Sequence, residues 1–356
     1  MVQRAHPCGP LLRAPRLCRR GRTLRVSRSR RTSAHDLRWR LPVIGALYGI
    51  LAAFSWGGGD FVGGIASRRL PTFFVVAASQ SVALAILIPI ALLSGQSIPG
   101  FDTLQLTAVA GITGGAGVLS LYHGFAHGKI SVVASIAGTL AALIPVGVAL
   151  ASGETATPLR ITGFALAIVA IFIVSTSADA STANAGEPGA HRDASSGAAA
   201  LGGALYGMTA GLCFAGFSLI FSRVESESTL WLLSGLRVAS VSALVGVFLV
   251  ARVIGRRPPG AEKLRPGAIP SGLRGRVALV LTLAAAGSGD TLGNLFFLLS
   301  SQESGVAVAA VFTSIAPVTT VLFAAAILRE RIGLRQGVGI LLAAAATLAI
   351  AAGGVV

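Results

Sequence analysis

The pentapeptide GALYG occurs twice, at Gly45–Gly49 and at Gly203–Gly207, and each copy opens a long apolar stretch. The two copies lie 158 residues apart, nearly half of the 356-residue chain. A second set of matches follows at a spacing of 176. Gly111, Gly117, Ala134, Glu154 and Gly163 correspond to Gly287, Gly293, Ala310, Glu330 and Gly339. We therefore predict that the chain consists of two copies of one structural unit.

The composition is typical of a chain embedded in a membrane. It is 53% hydrophobic and 12% charged, with a mean hydropathy of +0.78, whereas soluble domains carry about 25% charged residues. A helix that crosses the bilayer needs roughly 20 apolar residues, and the 45 glycines of the chain favour close helix packing in lipid. We therefore predict an all-α integral membrane protein whose solvent is the lipid bilayer.

The net charge of +16 is concentrated in residues 1–40, which hold twelve arginines and the single acid Asp36. We expect these residues to form a basic disordered tail. Three interpretations of the tail stay open: a solvated extension, a transit peptide, or sequence upstream of the true translation start. Because the charge belongs to the tail, it does not indicate a nucleic-acid partner. The three cysteines lack CxxC or Cys/His spacing, which argues against a metal site or a disulfide framework.

Ten apolar segments follow the tail, each near membrane-crossing length. They span about 43–65, 72–93, 103–124, 130–151, 158–176, 199–221, 229–251, 277–299, 305–327 and 334–354. Residues 177–198 are rich in Ser, Ala and Gly and nearly free of large apolar residues, so we predict a flexible linker there. The predicted units are therefore a first repeat at 41–176 and a second repeat at 199–356, with five helices each.

An odd number of spans in each repeat forces the second copy to enter the membrane in the opposite orientation. We therefore predict ten transmembrane helices arranged as two inverted five-helix repeats, an architecture that is typical of secondary transporters. The orientation of the whole chain stays open. The basic tail places both termini in the cytoplasm, whereas the loop 252–276, with seven Lys/Arg and one acid, argues for the reverse.

The chain resembles EamA-type transporters of the drug/metabolite transporter superfamily. The resemblance rests on the run SGVAVAAVFTSIAPVTTVLFAAAILRERIGLRQGVG at residues 304–339, with Pro317, then Glu330 at the helix end, then Gly339 nine residues later. The first half repeats this pattern from Gly128 through Glu154 and Gly163, and Trp56-Gly57 is similar to the opening helix of the family. The resemblance covers residues 43–354.

The resemblance implies a ten-helix carrier of small metabolites or drugs in the cell membrane, with export favoured over uptake. Amino acids, nucleobases, sugars and nucleotide-sugars occur among the substrates of the family, and the resemblance does not select one of them. The chain departs from the family pattern at Pro145, which lies one helical turn later than Pro317 does, at Asp60, where many members have a small or neutral residue, and in its long basic loop 252–276. These departures leave the subfamily undefined.

Ionisable residues inside a membrane are costly, so each of them is a candidate functional residue. Asp60 follows three glycines in the first span, where a carboxylate could bind a proton, a sodium ion or a substrate amine. Asp290 and Asn294 share one face of the eighth span because they lie four residues apart. The alternatives are that Asp60 faces water or pairs with a base, and that Asp290 only bonds neighbouring helices.

Four further residues complete the candidate substrate- or proton-binding set: Arg237, Gln80, Trp56 and His123. Arg237 corresponds to Gln80 when residues 229–237 are laid over residues 72–80, and it needs a partner such as Asp290 or Asp60. Trp56 lies beside the glycine run and could line a cavity or belong to an interfacial belt. His123 could relay protons, although its place near a loop also fits a solvated histidine.

The chain contains no GxxxxGK[ST], GxSxG or HExxH motif, which argues against an ATP-driven pump and the common hydrolases. We predict no enzyme activity, no cofactor and no metal, and a small-molecule substrate as the partner of a monomer or homodimer. Two alternatives of other classes stay open: a membrane-embedded enzyme or its structural subunit, and a passive channel for small solutes.

Overall fold

The computed structural model describes residues 34–153, 157–183, 194–221, 223–224, 228–258, 260–261, 269, 271–304, 309, 312–313, 315–329 and 332–352. Within these residues the fold is all-helical, and ten helices follow one another along the chain. They are α1 (Ala34–Ser67), α2 (Thr72–Leu93), α3 (Phe101–His127), α4 (Ile130–Ala151), α5 (Pro158–Ala183), α6 (Ala194–Phe221), α7 (Thr229–Val253), α8 (Leu273–Ser304), α9 (Ala316–Leu328) and α10 (Leu334–Ala352).

Within the described ranges, four helices are long and apolar enough to cross a membrane: Thr72–Leu93, Phe101–His127, Leu201–Phe221 and Thr229–Val253. Four shorter apolar helices accompany them: Ile130–Pro145, Pro158–Ile173, Ala316–Leu328 and Leu334–Ile350. The outer faces carry large exposed apolar side chains such as Phe54, Phe74, Phe172 and Leu341. In water such a surface would promote aggregation. In lipid it is the expected outer face of a helix bundle whose backbone polar groups form hydrogen bonds internally.

The helix ends differ from the predicted spans where the local sequence still supports a helix. α5 continues to Ala183 and α6 begins at Ala194, because the Ala, Ser and Thr residues at these two ends tolerate a helix. The predicted linker therefore overlaps both helices. Residues 34–40 of the predicted tail belong to α1. Residues 1–33 and 184–193, together with Glu154 and Glu330, lie outside the described residues.

Contacts between α1, α3 and α8 give the directions of these helices. Near the end of α1, Arg68 Nε donates to the Phe125 carbonyl at the end of α3 (3.0 Å), so α1 and α3 run parallel. The Ser300 hydroxyl, late in α8, donates to the Gly45 carbonyl, early in α1 (2.7 Å). A Cβ atom added at Gly59 would lie 3.0 Å from the Gly289 Cα. α8 therefore runs antiparallel to both α1 and α3.

The packing of α6 mirrors this arrangement. Gly117 in the middle of α3 faces Phe214 late in α6, and Gly128 after α3 faces Gly203 early in α6. α6 is thus antiparallel to α3 and, through it, to α1. The α1–α8 and α3–α6 pairs are the two most extensive helix contacts of the bundle.

Helices α2 and α7 form an antiparallel pair between these two contacts. At one end the Phe73 and Phe248 rings lie 6.5 Å apart, and at the other end the Trp231 indole nitrogen donates to the Gln96 carbonyl (2.9 Å). Both helices are followed by a glycine in the left-handed region, Gly95 at φ 70° and Gly255 at φ 66°, the usual ending for a helix. α2 also packs on α8, and α7 on α3, so this pair joins the two contacts.

Candidate functional site

A buried ion pair joins α7 to α8. Arg237 Nη1 lies 2.6 Å from Asp290 Oδ2, and the two side chains are 6% and 17% exposed. Of the two partners predicted for Arg237, the structure selects Asp290. The pair leaves no net charge at this point, so the cost of burying each ion is offset by its attraction to the other.

Two amide side chains extend the ion pair into a polar cluster across α2, α7 and α8. Arg237 Nη1 also donates to Gln80 Oε1 (2.6 Å), and Gln80 Nε2 lies 3.3 Å from Asp290 Oδ2. Asn294 Nδ2 donates to the other carboxylate oxygen, Oδ1 (3.3 Å). Gln80 and Arg237, the corresponding residues of the two sequence copies, are therefore in direct contact. We call the four residues Gln80, Arg237, Asp290 and Asn294 the polar cluster.

Small residues let the backbones approach closely enough to form the polar cluster. A Cβ atom at Gly289 would lie 2.6 Å from the Gly59 Cα, so α1 and α8 cross with their backbones in contact. Gly287 abuts the Ser79 carbonyl on α2, and Gly111 on α3 abuts the Leu236 carbonyl on α7. Any side chain at these positions would separate the helices that carry the cluster, which is the role of small residues in membrane helix packing.

Asp60 lies beside the polar cluster on α1, the neighbour of α8. Its carboxylate is near enough to Asp290 for the two like charges to repel each other, and it interacts with the hydroxyl of Tyr122. The Tyr122 hydroxyl also lies 3.4 Å from the Gly59 carbonyl. Among the described residues, Asp60 has no ion-pair partner. It is therefore the carboxylate of this region that remains open to a proton or to a cationic group.

Tyr122 is the residue of this site that sequence reasoning missed. Its side chain is fully buried, with 1% exposure. Its ring fills the space left by Gly63 on α1, which directs the hydroxyl toward Asp60. The absence of a side chain at Gly63 is a signal only once α1 and α3 are known to be neighbours.

Trp56 and His123 occupy different surroundings. The Trp56 indole packs on Gly293, one residue before Asn294, and its ring lies 5.8 Å from that of Phe297, so Trp56 covers the α8 backbone beside the polar cluster. His123 lies near the end of α3, with its ring 4.2 Å from His127 and 4.5 Å from Tyr206. The structure thus brings Asp60, Gln80, Arg237, Asp290, Asn294 and Trp56 together and places His123 at the loop end of α3.

The arrangement offers hydrogen-bonding and ionic chemistry. In the described part of the chain, His, Cys, Asp and Glu side chains form no group of three or more that could hold a metal ion. What α1, α2, α7 and α8 present together is a neutralised arginine, two amides and one carboxylate without an ion-pair partner among the described residues. Polar groups of this kind inside a membrane bundle mark the pathway of a solute or a proton.

Comparisons with known proteins agree with this architecture. A solved crystal structure aligns with the chain at a TM-score of 0.52 and 14% sequence identity, over 86% of this chain and 96% of that chain. At such low identity the likeness shows the fold alone. None of the curated proteins compared with the chain matches it. The model of the EamA-like transporter family matches residues 43–176 and again residues 201–352. The chain, which carries this family's unit twice, therefore belongs to the EamA-like transporter family, as the resemblance in its sequence predicted.

Proposed function

We propose that this chain is a secondary active transporter that moves a small metabolite or drug across the cytoplasmic membrane by alternating access. The observation that carries the proposal is the buried polar cluster, which joins α2 of the first sequence copy to α7 and α8 of the second. Among the described residues, the two most extensive helix contacts, α1–α8 and α6–α3, pair corresponding helices. Members of the family are transporters. A central polar site between two similar halves is the arrangement from which alternating access follows.

The helix directions support two inverted five-helix repeats. α1 and α6 carry the two GALYG copies and run antiparallel, and the corresponding helices α3 and α8 also run antiparallel. The same holds for α2 and α7. We propose that the repeats span 41–176 and 199–356, with residues 177–198 joining them and residues 1–40 preceding them. Rocking of one repeat against the other would expose the polar cluster to each side of the membrane in turn.

The proposed substrate site consists of the polar cluster with Asp60 and Trp56. Arg237 and Asp290 neutralise each other, so Asp60 alone would change the net charge of the site when it gains or loses a proton. We therefore propose Asp60, rather than Asp290, as the residue that couples transport to a proton gradient. His123, at the loop end of α3, would serve the path by which protons or solute reach the site. The direction we propose is export, by a monomer or homodimer.

Flux measurements on the purified protein in proteoliposomes test this function. The expected result for the unmodified chain is saturable flux that is accelerated by substrate on the opposite side, which a channel does not show. Asp60→Asn is expected to abolish the pH dependence of that flux. Ser218→Ala, which alters the corresponding position of α6 at the spacing of 158, is the matched control and should keep it. Non-saturable flux, or full pH dependence in Asp60→Asn, would contradict the proposal.

A further inference from the structure

The guanidinium of Arg237 forms its hydrogen bonds to the described residues on one side only. Nη1 donates to Asp290 and to Gln80, both at 2.6 Å. Nε and Nη2 are buried and have no hydrogen-bond partner among the described residues. Because Nη1 is the nitrogen on the side of Cδ, the two unused nitrogens form the opposite edge, with their N–H groups pointing in the same direction.

We propose that the transported substrate carries a carboxylate group, which binds in bidentate fashion to the Nε and Nη2 edge of Arg237. This inference rests on the proposed function, since it names the substrate class of the same site. Two parallel N–H donors at fixed spacing match the two oxygens of a carboxylate, and charge-assisted pairs of this geometry are the strongest that arginine forms.

The burial of Arg237 makes its unused edge significant. The residue is 5% exposed, and buried donors in native structures are nearly always paired with protein, water or ligand. At a surface arginine, solvent would satisfy the same atoms without further explanation. Here they lie in the interior of a membrane bundle, at the residue that already anchors the polar cluster.

Three unpartnered hydroxyl groups, on the helices that carry Arg237 and Asp290, are candidate further donors for the same ligand. Ser234 and Ser240 lie about one helical turn before and after Arg237 on α7, and Thr291 directly follows Asp290 on α8. The hydroxyls of all three are buried and have no hydrogen-bond partner within the described part of the chain. A carboxylate accepts up to about four hydrogen bonds, so the guanidinium edge together with these hydroxyls could satisfy it.

The charges nearby favour a group with a single negative charge. Asp290 already balances Arg237, and Asp60 lies close to Asp290. Even with Asp60 protonated, a dianion such as a phosphate monoester would bring two negative charges to a site whose one cation is already balanced, whereas a carboxylate brings one.

Pairs of acids and their amides test the assignment directly, because the two members differ little in size. The probes are phenylacetate and phenylacetamide, lactate and lactamide, and L-leucine and L-leucinamide. Thermal stabilisation of the purified protein measures binding, and counterflow in proteoliposomes measures transport. The expected result is that at least one acid stabilises the protein and is transported, with an apparent affinity about 10-fold or more above that of its amide.

Arg237→Lys keeps the positive charge and removes the paired N–H donors of the guanidinium. This variant is expected to lose the preference for the acid over its amide. Arg252→Lys, the same change at an exposed position of α7, is the matched control and should retain it. If Arg237→Lys does not fold, the comparison of acid with amide on the unmodified protein decides alone.

The outcomes separate this inference from the proposed function. If acids and amides bind equally or none of the acids binds, or if a folded Arg237→Lys keeps the preference, the carboxylate assignment is overturned. Saturable counterflow of neutral or cationic solutes alone would overturn it too, while the transporter proposal would stand. Acid-selective stabilisation without flux of any solute would support the carboxylate site and overturn the transporter proposal.

Discussion

Two helix crossings built from corresponding segments of the chain, α1 on α8 and α6 on α3, are filled in different ways. At the first, Gly59 and Gly289 bring the backbones into contact, with Asp60 and Asp290 directly beside them. At the second, the Phe217 ring lies over Gly114, whereas the packing of Phe214 on Gly117 repeats that of Trp56 on Gly293 at the first. Gly114 corresponds to Asp290 at the spacing of 176, and Phe217 corresponds to Gly59 at the spacing of 158. At these positions one crossing has a backbone contact flanked by two carboxylates, and the other has an aromatic ring.

The difference separates what the duplicated fold requires from what function requires. Both crossings need small residues on at least one helix, so glycine is common to the two. Neither the acidic residues nor the phenylalanine ring is common to the two crossings. Because the polar cluster and Asp60 adjoin the α1–α8 crossing, we infer that substrate and proton chemistry belong to that side of the bundle and that the α6–α3 crossing acts as a packed support.

The largest effect is expected from Asp290→Asn, which leaves the charge of Arg237 buried without a counter-ion. Loss of one partner of a buried ion pair costs about 3–5 kcal/mol of stability, so the melting temperature in detergent should fall steeply. Asp102→Asn is the control, because Asp102 is an exposed acid in the first turn of α3. The double variant Arg237→Gln with Asp290→Asn should be more stable than Asp290→Asn alone, and a double variant that is no more stable would contradict the ion-pair account.

A moderate effect is expected from Gly289→Ala at the α1–α8 crossing. The added methyl would lie 2.6 Å from the Gly59 Cα, and backbone cannot move aside as a side chain can, so overpacking should cost about 1–3 kcal/mol. Gly114→Ala, at the other crossing, meets the Phe217 ring at 3.3 Å, a contact that a small ring shift can relieve. Gly216→Ala meets nothing within 4 Å and serves as the open-space control. Equal melting temperatures for Gly289→Ala and Gly114→Ala would remove the structural contrast between the crossings.

The smallest effect on stability is expected from Asp60→Asn. No ion-pair partner of Asp60 lies among the described residues, and an amide oxygen can still accept from Tyr122. The change in stability should therefore be no more than the ~1 kcal/mol that is typical of point substitutions. Thermal unfolding in detergent checks this. A loss as large as that of Asp290→Asn would show that Asp60 has a structural counter-ion.

Sequence alone could identify residues of the site, although not how they pair. The twin GALYG segments, the ten apolar stretches and the intramembrane residues Asp60, Arg237 and Asp290 are all visible in the printed chain. Arg237 could have paired with either acid, because each lies on a different helix and the choice depends on which helices are neighbours. The contact between Gln80 and Arg237 is a consequence of the packing of α2 against α7.

The helix ends and the role of Tyr122 lay beyond sequence reasoning for different reasons. α5 and α6 extend into the predicted linker because Ala, Ser and Thr give no strong local signal for the end of a helix. Tyr122 reads as an ordinary aromatic, and its contact with Asp60 depends on the space that Gly63 leaves on another helix. Such a contact depends on the tertiary structure and cannot be inferred from the local sequence.

The side of the membrane on which α2 and α7 end tests directly whether the two repeats are inverted. The measurement is labelling by a membrane-impermeant maleimide of Ile98→Cys, after α2, and Arg256→Cys, after α7, both exposed, in a chain with Cys8, Cys18 and Cys213 replaced by serine. The account predicts that intact vesicles of one orientation label one variant and that vesicles of the opposite orientation label the other. Labelling of both variants from the same side would contradict it.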